Sequence, residues 1–265
     1  MHLFHSRYDE ITQILYGTHH SGFYSCINEV RNTLYKLVTH KIYPKDISFS
    51  ETLGWYRGNE DLYPILYKKC EESMESIKSE DFDFEYFCPT ELNLSWLDYD
   101  DASKVENAYF LPSDYVQERV VELEKKYDID YSNTLAIFHR GTDKGIEATL
   151  RPLGWWIDNI RGETDEPFRI LIQTDEKSFK DGFLDAYGES GFTFDEMIFR
   201  DGYVTPHRDK VQWAIDYESI MRIISKCKKI VTHSGNGGII PIIYRANLEG
   251  VSQCYKDGDF MRFYK

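Results

Sequence analysis

No apolar run in this sequence approaches the roughly 18–20 residues that a membrane-spanning helix requires. The N-terminal stretch MHLFHSRYDE has no basic region followed by an apolar segment, so we expect no secretory signal. The 5 cysteines are scattered and form no Cys-x-x-Cys pair, which argues against a zinc site and against a disulfide framework. These absences predict a protein without a membrane span, in the reducing environment of the cytoplasm.

Several common catalytic and nucleotide-binding signatures are also missing. The chain has no Walker loop, no dinucleotide-binding fingerprint and no Gly-x-Ser-x-Gly elbow, so neither those phosphate loops nor a serine hydrolase is indicated. The 8 histidines show no metal-ligand spacing. No Asp-x-Asp triplet follows a strand that we predict, and we therefore expect no metal.

Positive charge is scarce as well. The chain has 45 Asp and Glu against 31 Lys and Arg, a net charge of −14. A protein of this charge repels phosphate backbones, so we expect no nucleic acid as a partner, although a local basic pocket for an anionic ligand is compatible with it. Apolar residues make up 42% of the 265 residues and aromatic residues 15%, enough for a substantial core. The sequence does not set the oligomeric state.

The chain changes character near residue 130, where we divide it into two domains, residues 1–130 and 131–265. Apolar runs alternate with helical patterns in the second domain, which predicts right-handed βαβ units and a mostly parallel sheet. The patterns predict helices over residues 25–38, 60–78, 115–127, 150–160, 178–186, 210–227 and 239–246. They predict strands over residues 46–49, 107–111, 134–139, 169–173, 197–200 and 229–233.

Polar residues follow three of these strands, at 139–144, 174–176 and 233–238. Ligands of open parallel sheets bind outside the carboxyl ends of the strands, so we expect a site there. Arg140 offers a planar set of donors, Lys144 adds a compact charge, and Gly141 lets the backbone approach a ligand closely. Together they predict a diphosphate pocket; the alternative is a structural cluster in which these cations pair with neighbouring acids.

Two glycine-containing turns add candidate anion sites. Ser234, Gly235 and Asn236 open a turn whose helix-start amides, with the serine hydroxyl, would bind an anion; an ordinary strand-to-helix turn is the alternative. A second turn, with Gly22 and Ser25, opens a helix in the first half.

A carboxylate a few residues after the cationic loop has the chemistry of a general base. Glu147 could accept the proton of an acceptor hydroxyl, while the cations stabilise charge that grows on a diphosphate leaving group. Pairing of Glu147 with a neighbouring cation is the alternative.

These residues resemble the motifs of the α-1,6-fucosyltransferases, which include the nodulation and core fucosyltransferases and are distantly related to protein O-fucosyltransferases. Residues 139–144 followed by Glu147 resemble the first motif, residues 170–176 the second and residues 225–238 the third. The resemblance covers about residues 134–246, and in the first half only residues 21–25 match a glycine-rich turn.

The resemblance implies a GT-B-like α/β fold, with two facing Rossmann-like domains, mostly parallel sheets and a reduced N-terminal domain. It implies an inverting fucosyltransferase that moves fucose from GDP-fucose to a glycan hydroxyl without a metal. Its partners would be the nucleotide-sugar donor, bound by residues 131–265, and a glycan acceptor on the side of residues 1–130. The alternatives are a catalytically silent nucleotide-sugar or glycan-binding protein, or a transferase that uses another nucleotide sugar.

The resemblance also assigns roles to individual positions. Arg140 matches the arginine that contacts the diphosphate, and Lys144 and Glu147 match the pair around the acceptor hydroxyl. The donor-binding positions are His139, Asp143, Asp175, Ser234, Gly235, Asn236, Gly22 and Ser25.

The chain departs from the family pattern at several positions. The family's second arginine is Gly141 here, and its guanine-binding histidine falls opposite Phe138. Its guanine-binding acid falls on Ile220, with Asp216 and Glu218 as the nearest acids.

Overall fold

The structure, a computed structural model, describes residues 2–3, 6–85, 87–88, 91–141, 149–162, 168–196, 209–255 and 257–263. The chain divides into two units. Unit 1 comprises residues 1–88, 98–121 and 205–219, and unit 2 comprises residues 89–97, 122–204 and 220–265. Within the described ranges, no helix has both the length and the apolar character needed to cross a membrane.

Unit 1 contains a four-stranded sheet in the order β1–β2–β3–β4. The strands are β1 (His2–Leu3), β2 (Ser6–Asp9), β3 (Ile14–Gly17) and β4 (Asp46–Ser48). The pairs β1/β2 and β2/β3 are antiparallel and only β3/β4 is parallel, so this sheet departs from the mostly parallel pairing we expected. The reason for the antiparallel pairing is local, because a tight turn joins β2 to β3. The Asp9 carboxylate closes this turn by accepting from the backbone N–H groups of Ile11 and Thr12. So short a connection joins only antiparallel strands.

The predicted helix over residues 25–38 is confirmed as α1 (Phe23–Thr39), which packs against β3. Its apolar stripe includes Ile27, Val30 and Leu34, each fully buried, as the spacing of these residues predicts. The predicted strand over residues 46–49 is confirmed as β4.

Two predictions in the first half are wrong. Residues 60–78 form no single helix but α2 (Tyr63–Leu66), β5 (Tyr67–Lys68) and α3 (Glu71–Ile77). The helix is interrupted because β5 pairs with β6 (Leu111–Pro112), a long-range contact that outweighs helical propensity. The predicted strand over residues 107–111 starts too early, because residues 107–109 are the last residues of α4 (Tyr99–Tyr109).

Unit 2 contains a six-stranded sheet in the order β12–β11–β10–β7–β8–β9. Its strands are β7 (Thr134–Phe138), β8 (Arg169–Gln173), β9 (Gly191–Phe192), β10 (Lys229–His233), β11 (Val251–Cys254) and β12 (Phe260–Arg262). All pairs are parallel except β11/β12, which confirms the expected α/β class and mostly parallel sheet. The prediction for residues 197–200 lies outside the described residues, and β11 and β12 were not predicted.

The remaining predicted helices are confirmed with shifts of at most a few residues at their ends. They are α5 (Asp114–Tyr127), α6 (Leu153–Arg161), α7 (Lys177–Tyr187), α8 (Lys210–Lys226) and α9 (Ile240–Arg245). On one face of the unit 2 sheet, alternate strand residues pack against α6 and α7 in one apolar core. This core contains Leu135, Ile137, Ile170, Ile172, Trp156, Ile160, Phe179 and Phe183. It fixes the strand ends on which the polar motifs lie.

Unit 1 buries one ion pair completely. The Arg31 guanidinium on α1 donates to both oxygens of Glu106 on α4, at 2.8 and 3.2 Å, and Glu106 also accepts from the Tyr35 hydroxyl at 3.0 Å. Arg31 is 0% exposed and Glu106 5% exposed, and the face of Phe110 covers the guanidinium at 4.5 Å. The charges are stable there because each is matched by bidentate geometry.

We expect Glu106→Gln to destabilise unit 1 strongly, because it leaves a buried guanidinium without its counter-charge. Removing one partner of a buried pair costs about 3–5 kcal/mol. The matched control is Glu75→Gln, which breaks the exposed Lys78–Glu75 pair and should cost less than about 1 kcal/mol. Urea unfolding followed by circular dichroism gives both values; equal losses in the two variants would contradict the assigned role.

Candidate functional site

The order of strands in unit 2 defines a place for a ligand. From β7 the chain moves outward to β8 and β9, whereas β10 and β11 lie on the other side of β7. The connections that follow the neighbouring strands β7 and β10 therefore run in opposite directions, and a crevice opens at their carboxyl ends. The first predicted motif follows β7 and the third follows β10, so the topology brings these two motifs to one place.

A pocket lies at this edge of the sheet, entirely within unit 2. The pocket is lined by His139, Arg140, Thr149, Leu150, Arg151, Trp156, His233, Ser234, Cys254 and Tyr255. Three residues of the predicted site, His139, Arg140 and Ser234, are thus brought together, and none of the lining residues that the structure describes is acidic.

The carboxylate of Asp175 fixes the loop after β7. One oxygen pairs with Arg140 Nε at 2.5 Å and the other accepts from the backbone N–H of Gly141 at 2.9 Å. The Asp175 side chain is 6% exposed, whereas that of Arg140 is 27% exposed. Both oxygens therefore contact the loop after β7, and the donor contact expected of Asp175 stays a prediction.

His139 is a buried and neutral wall of the pocket. Its ring stacks on Phe179 with centroids 3.7 Å apart and meets the edge of Trp156, and its Nδ1 lies 3.0 Å from the Thr174 hydroxyl. Burial, followed by the nearby charges of His233 and Arg140, holds the pKa of His139 well below its usual value. The pocket's positive charge therefore comes from its arginines rather than from this histidine.

A side chain at position 141 would be crowded by its neighbours. A Cβ built on Gly141 would lie 1.9 Å from Glu176 Oε2 and 2.9 Å from Cε1 of His139. The Glu176 carboxylate could move aside, but the His139 ring is held by its stack on Phe179. The loop therefore passes close to the His139 ring and the Glu176 carboxylate, and the close approach to a ligand stays a prediction.

The turn after β10 is closed by its own hydrogen bonds. The backbone N–H groups of Gly238 and Ile239 both donate to the carbonyl of Gly235, and that of Ile240 donates to Gly237. These three amides at the start of α9 therefore have acceptors within the protein, and the anion site expected at Ser234, Gly235 and Asn236 stays a prediction. Asn236 lies inside this closed turn.

Ser234 reaches the pocket from the same turn and is held by a residue that the sequence analysis missed. Gln253 on β11 donates from Nε2 to the Ser234 hydroxyl at 3.0 Å and to the Leu92 carbonyl at 2.9 Å, and its Oε1 accepts from the Leu94 N–H. Because the hydroxyl oxygen accepts from Gln253, its hydrogen is left to donate elsewhere. Ser234 is therefore prepared as a donor although it is only 4% exposed.

The other predicted site residues lie elsewhere or outside the described residues. Asp143, Lys144 and Glu147 fall in the segment 142–148, which is outside them. Gly22 and Ser25 belong to unit 1, where Gly22 precedes α1 and the Ser25 hydroxyl lies 3.2 Å from Nε2 of His19.

Both acids considered for base recognition are occupied inside unit 1. Asp216 pairs with Arg119 at 2.7 Å and accepts from the Gln212 side chain. Glu218 is 0% exposed and accepts from the hydroxyls of Tyr24 and Tyr67, at 3.1 and 2.8 Å. These contacts give the two carboxylates structural roles.

One expectation about acidic triplets needs correction. Asp257-Gly258-Asp259 lies in the turn between β11 and β12, so an Asp-x-Asp triplet does follow a strand, one that the sequence analysis did not predict. Both aspartates are exposed, and among the described residues no group of three or more His, Cys, Asp or Glu side chains is arranged to hold a metal ion.

The fold resembles solved fucosyltransferases along nearly the whole chain. Over 94% of this chain and 96% of the other, it superposes with a TM-score of 0.57 and 9% identity on the NodZ α-1,6-fucosyltransferase co-crystallized with GDP. The fucosyltransferase NodZ from Bradyrhizobium gives a TM-score of 0.56 at 9% identity, covering 94% and 97%. NodZ soaked with GDP-fucose gives a TM-score of 0.56 at 10% identity, with the same coverage.

The likeness is one of fold. It confirms the fucosyltransferase-like α/β architecture that the three motifs predict, including the fold of the first half, where the motifs hardly match. No family model matches the sequence, and no curated protein matches it. Sequence identities near 10% leave the roles of individual residues to the geometry of the site.

We expect Gly141→Ala to lower the unfolding temperature, because the new methyl group collides with His139. Overpacking at a rigid position costs about 1–3 kcal/mol. The matched control is Gly154→Ala in α6, where a Cβ meets nothing within 4 Å and the substitution should stabilise by about 0.5–1 kcal/mol. The unfolding temperatures of the two variants, measured by thermal unfolding, test this prediction. An unfolding temperature of Gly141→Ala as high as that of Gly154→Ala would contradict the close contact between residue 141 and His139.

The low pKa of His139 predicts a pH dependence of stability. The folded state keeps His139 neutral while the unfolded chain takes up a proton below about pH 6.5, so the free energy of unfolding should fall as the pH falls below that value. By pH 5.5 His139 should contribute a loss of about 1 kcal/mol. Urea unfolding at pH 7.5 and 5.5 should show a smaller fall in His139→Phe than in the wild type; identical falls would show that His139 titrates alike in both states.

Proposed function

We propose that this protein is a glycosyltransferase whose unit 2 holds the diphosphate of a nucleotide sugar, with GDP-fucose as donor and a glycan hydroxyl as acceptor. The observation that carries the proposal is the position of Arg140 in a pocket at the carboxyl ends of β7 and β10, whose described lining residues include Arg151 and no acid. The fold supports it, since structures of similar fold were determined with GDP and after soaking with GDP-fucose.

Arg140 has the chemistry that a diphosphate leaving group requires. The Asp175 carboxylate forms an ion pair with its guanidinium, and planar donors suit phosphate oxygens. As the bond between the anomeric carbon and the diphosphate breaks, negative charge accumulates on the leaving oxygen. A preorganised cation at that place lowers the barrier.

The acceptor chemistry rests on Glu147 and Lys144, as the motif resemblance implies. In the proposed step the acceptor oxygen attacks the anomeric carbon, the bond to the diphosphate breaks, and the hydroxyl proton passes to Glu147. Attack from the face opposite the leaving group inverts the configuration. The step needs no metal if Arg140 and Lys144 supply the positive charge.

A transferase that uses another nucleotide is the second candidate, and one observation favours it. Asp216 and Glu218, the acids nearest the family's guanine contact, are engaged by side chains of unit 1. The base could therefore be recognised by other groups than the family uses.

Calorimetry with GDP, UDP, ADP and CDP, followed by transfer assays with the corresponding sugars, tests the proposal. Binding of GDP at least tenfold tighter than the others, with release of free fucose or transfer to a glycan, supports it. Preference for another diphosphate selects the second candidate. GDP-fucose binding without any turnover would identify a silent binding protein and overturn the assigned activity.

Two substitutions separate donor binding from proton transfer. We expect Arg140→Lys to lower turnover by about 10²–10³ because lysine retains the charge but loses the planar donors. Glu147→Gln should keep the donor affinity and lower transfer by about 10²–10⁴. Arg161→Lys, an exposed arginine at the end of α6, is the matched control. Single-turnover assays beside calorimetry measure both effects; normal transfer in either site variant would reject the role of that residue.

A further inference from the structure

A second guanidinium lines the pocket, from a part of the chain outside the predicted motifs. Arg151 lies just before α6 and shares the pocket with Arg140, which lies after β7. Ser234 approaches from the turn after β10, so groups from two connections, one between β7 and α6 and one after β10, surround the same space. Two arginines that converge on one pocket, in a chain of net charge −14, indicate an anionic ligand with more than one charged group.

The structure holds Arg151 in a defined position. Its Nε donates to the Gly258 carbonyl at 3.0 Å, and its Cζ lies 5.5 Å from the ring centroid of Trp155. A Cβ at Gly258, whose φ is +84°, would lie 2.2 Å from Arg151 Nε. The turn between β11 and β12 is therefore shaped to receive this side chain, and Nε rather than the two terminal nitrogens makes the contact.

Arg151 differs from Arg140 in what balances its charge. Arg140 pairs with the Asp175 carboxylate, whereas no carboxylate oxygen of the described residues lies within 4.0 Å of an Arg151 nitrogen. The acids nearest in sequence to its Gly258 anchor, Asp257 and Asp259, are exposed. A half-buried guanidinium held only by a carbonyl keeps donors and charge for a ligand.

We propose that Arg151 is a second phosphate-binding residue, so that a diphosphate is held between the guanidiniums of Arg140 and Arg151. The inference rests on the proposed function only in taking the ligand to be a nucleoside diphosphate. One guanidinium fixed by a carboxylate and one fixed by a carbonyl together supply the two positive charges that a diphosphate bridge requires.

The test compares ligands with and without the phosphates. Affinities of GDP, guanosine and inorganic pyrophosphate are measured by calorimetry on the wild type, Arg151→Ala and Arg151→Gln. Arg161→Ala, an exposed arginine at the other end of α6, is the matched control. The glutamine variant retains an amide that can donate to Gly258, so it keeps the test valid if the alanine variant does not fold.

We expect both Arg151 variants to weaken GDP and pyrophosphate by about 10–100-fold, the range for losing charge-assisted hydrogen bonds, with guanosine unchanged. Arg161→Ala should bind all three ligands as the wild type does. Unchanged GDP binding in both Arg151 variants, or an equal loss for GDP and guanosine, would overturn the assignment.

The outcomes also separate this inference from the proposed function. If the wild type binds pyrophosphate but not GDP, the choice of nucleotide is wrong and the pyrophosphate series still decides the role of Arg151. If the wild type transfers fucose and the Arg151 variants do so with unchanged GDP affinity, only the inference fails. A wild type that binds neither GDP nor pyrophosphate overturns both.

Discussion

The geometry of the pocket depends on the carboxylate of Asp175. It binds the guanidinium of Arg140 and the amide of Gly141, and it can do so because β7 and β8 pair in one register. Phe138 is paired with Gln173, so Arg140 and Asp175 each lie two residues beyond the last registered pair. A slip of one residue would turn the alternate side chains of β8 to the opposite face and separate the two charges. The apolar core under the sheet therefore sets the position of the polar groups at its edge.

The sequence predicts those structural elements whose pattern lies within one short segment of the chain, and it misses those that depend on distant residues. Strands β7, β8 and β10 are apolar runs buried on both faces, and such runs are recognisable without knowledge of their partners. Strand β11 was missed because it carries Ser252 and Gln253, which are 0% and 1% exposed. The amide of Gln253 is satisfied by Leu92 and Leu94, about 160 residues earlier in the chain. No local sequence pattern indicates that this glutamine is buried, because its hydrogen-bond partners come from a distant segment.

The same distinction applies to the site. Arg140 and Ser234 were found because each follows a recognisable strand, and the rule for parallel sheets places such residues near a ligand. Arg151 was missed because it follows no strand and precedes α6 by only two residues; the Gly258 turn that holds it becomes visible only when β11 and β12 are formed. The anion site expected after β10 stays a prediction. A glycine-rich turn can close on its own carbonyls, and the sequence does not show that Gly235 accepts from the amides of Gly238 and Ile239.

Net charge and local charge are separate quantities in this protein. The chain carries −14 overall, yet among the described residues its pocket is lined by two arginines and no acid; the Asp175 carboxylate contacts Arg140, and Asp257 and Asp259 are exposed. Two other titratable residues that line the pocket add no negative charge. His139 stays neutral, and burial raises the pKa of the Cys254 thiol to about 11. An uncharged, half-buried wall also screens the arginines less than water does, so their field on a ligand is stronger than at the open surface. An acidic chain can therefore bind a polyanion at the strand ends, where the topology brings cationic side chains together. The charge of such a site depends on the topology rather than on the overall composition.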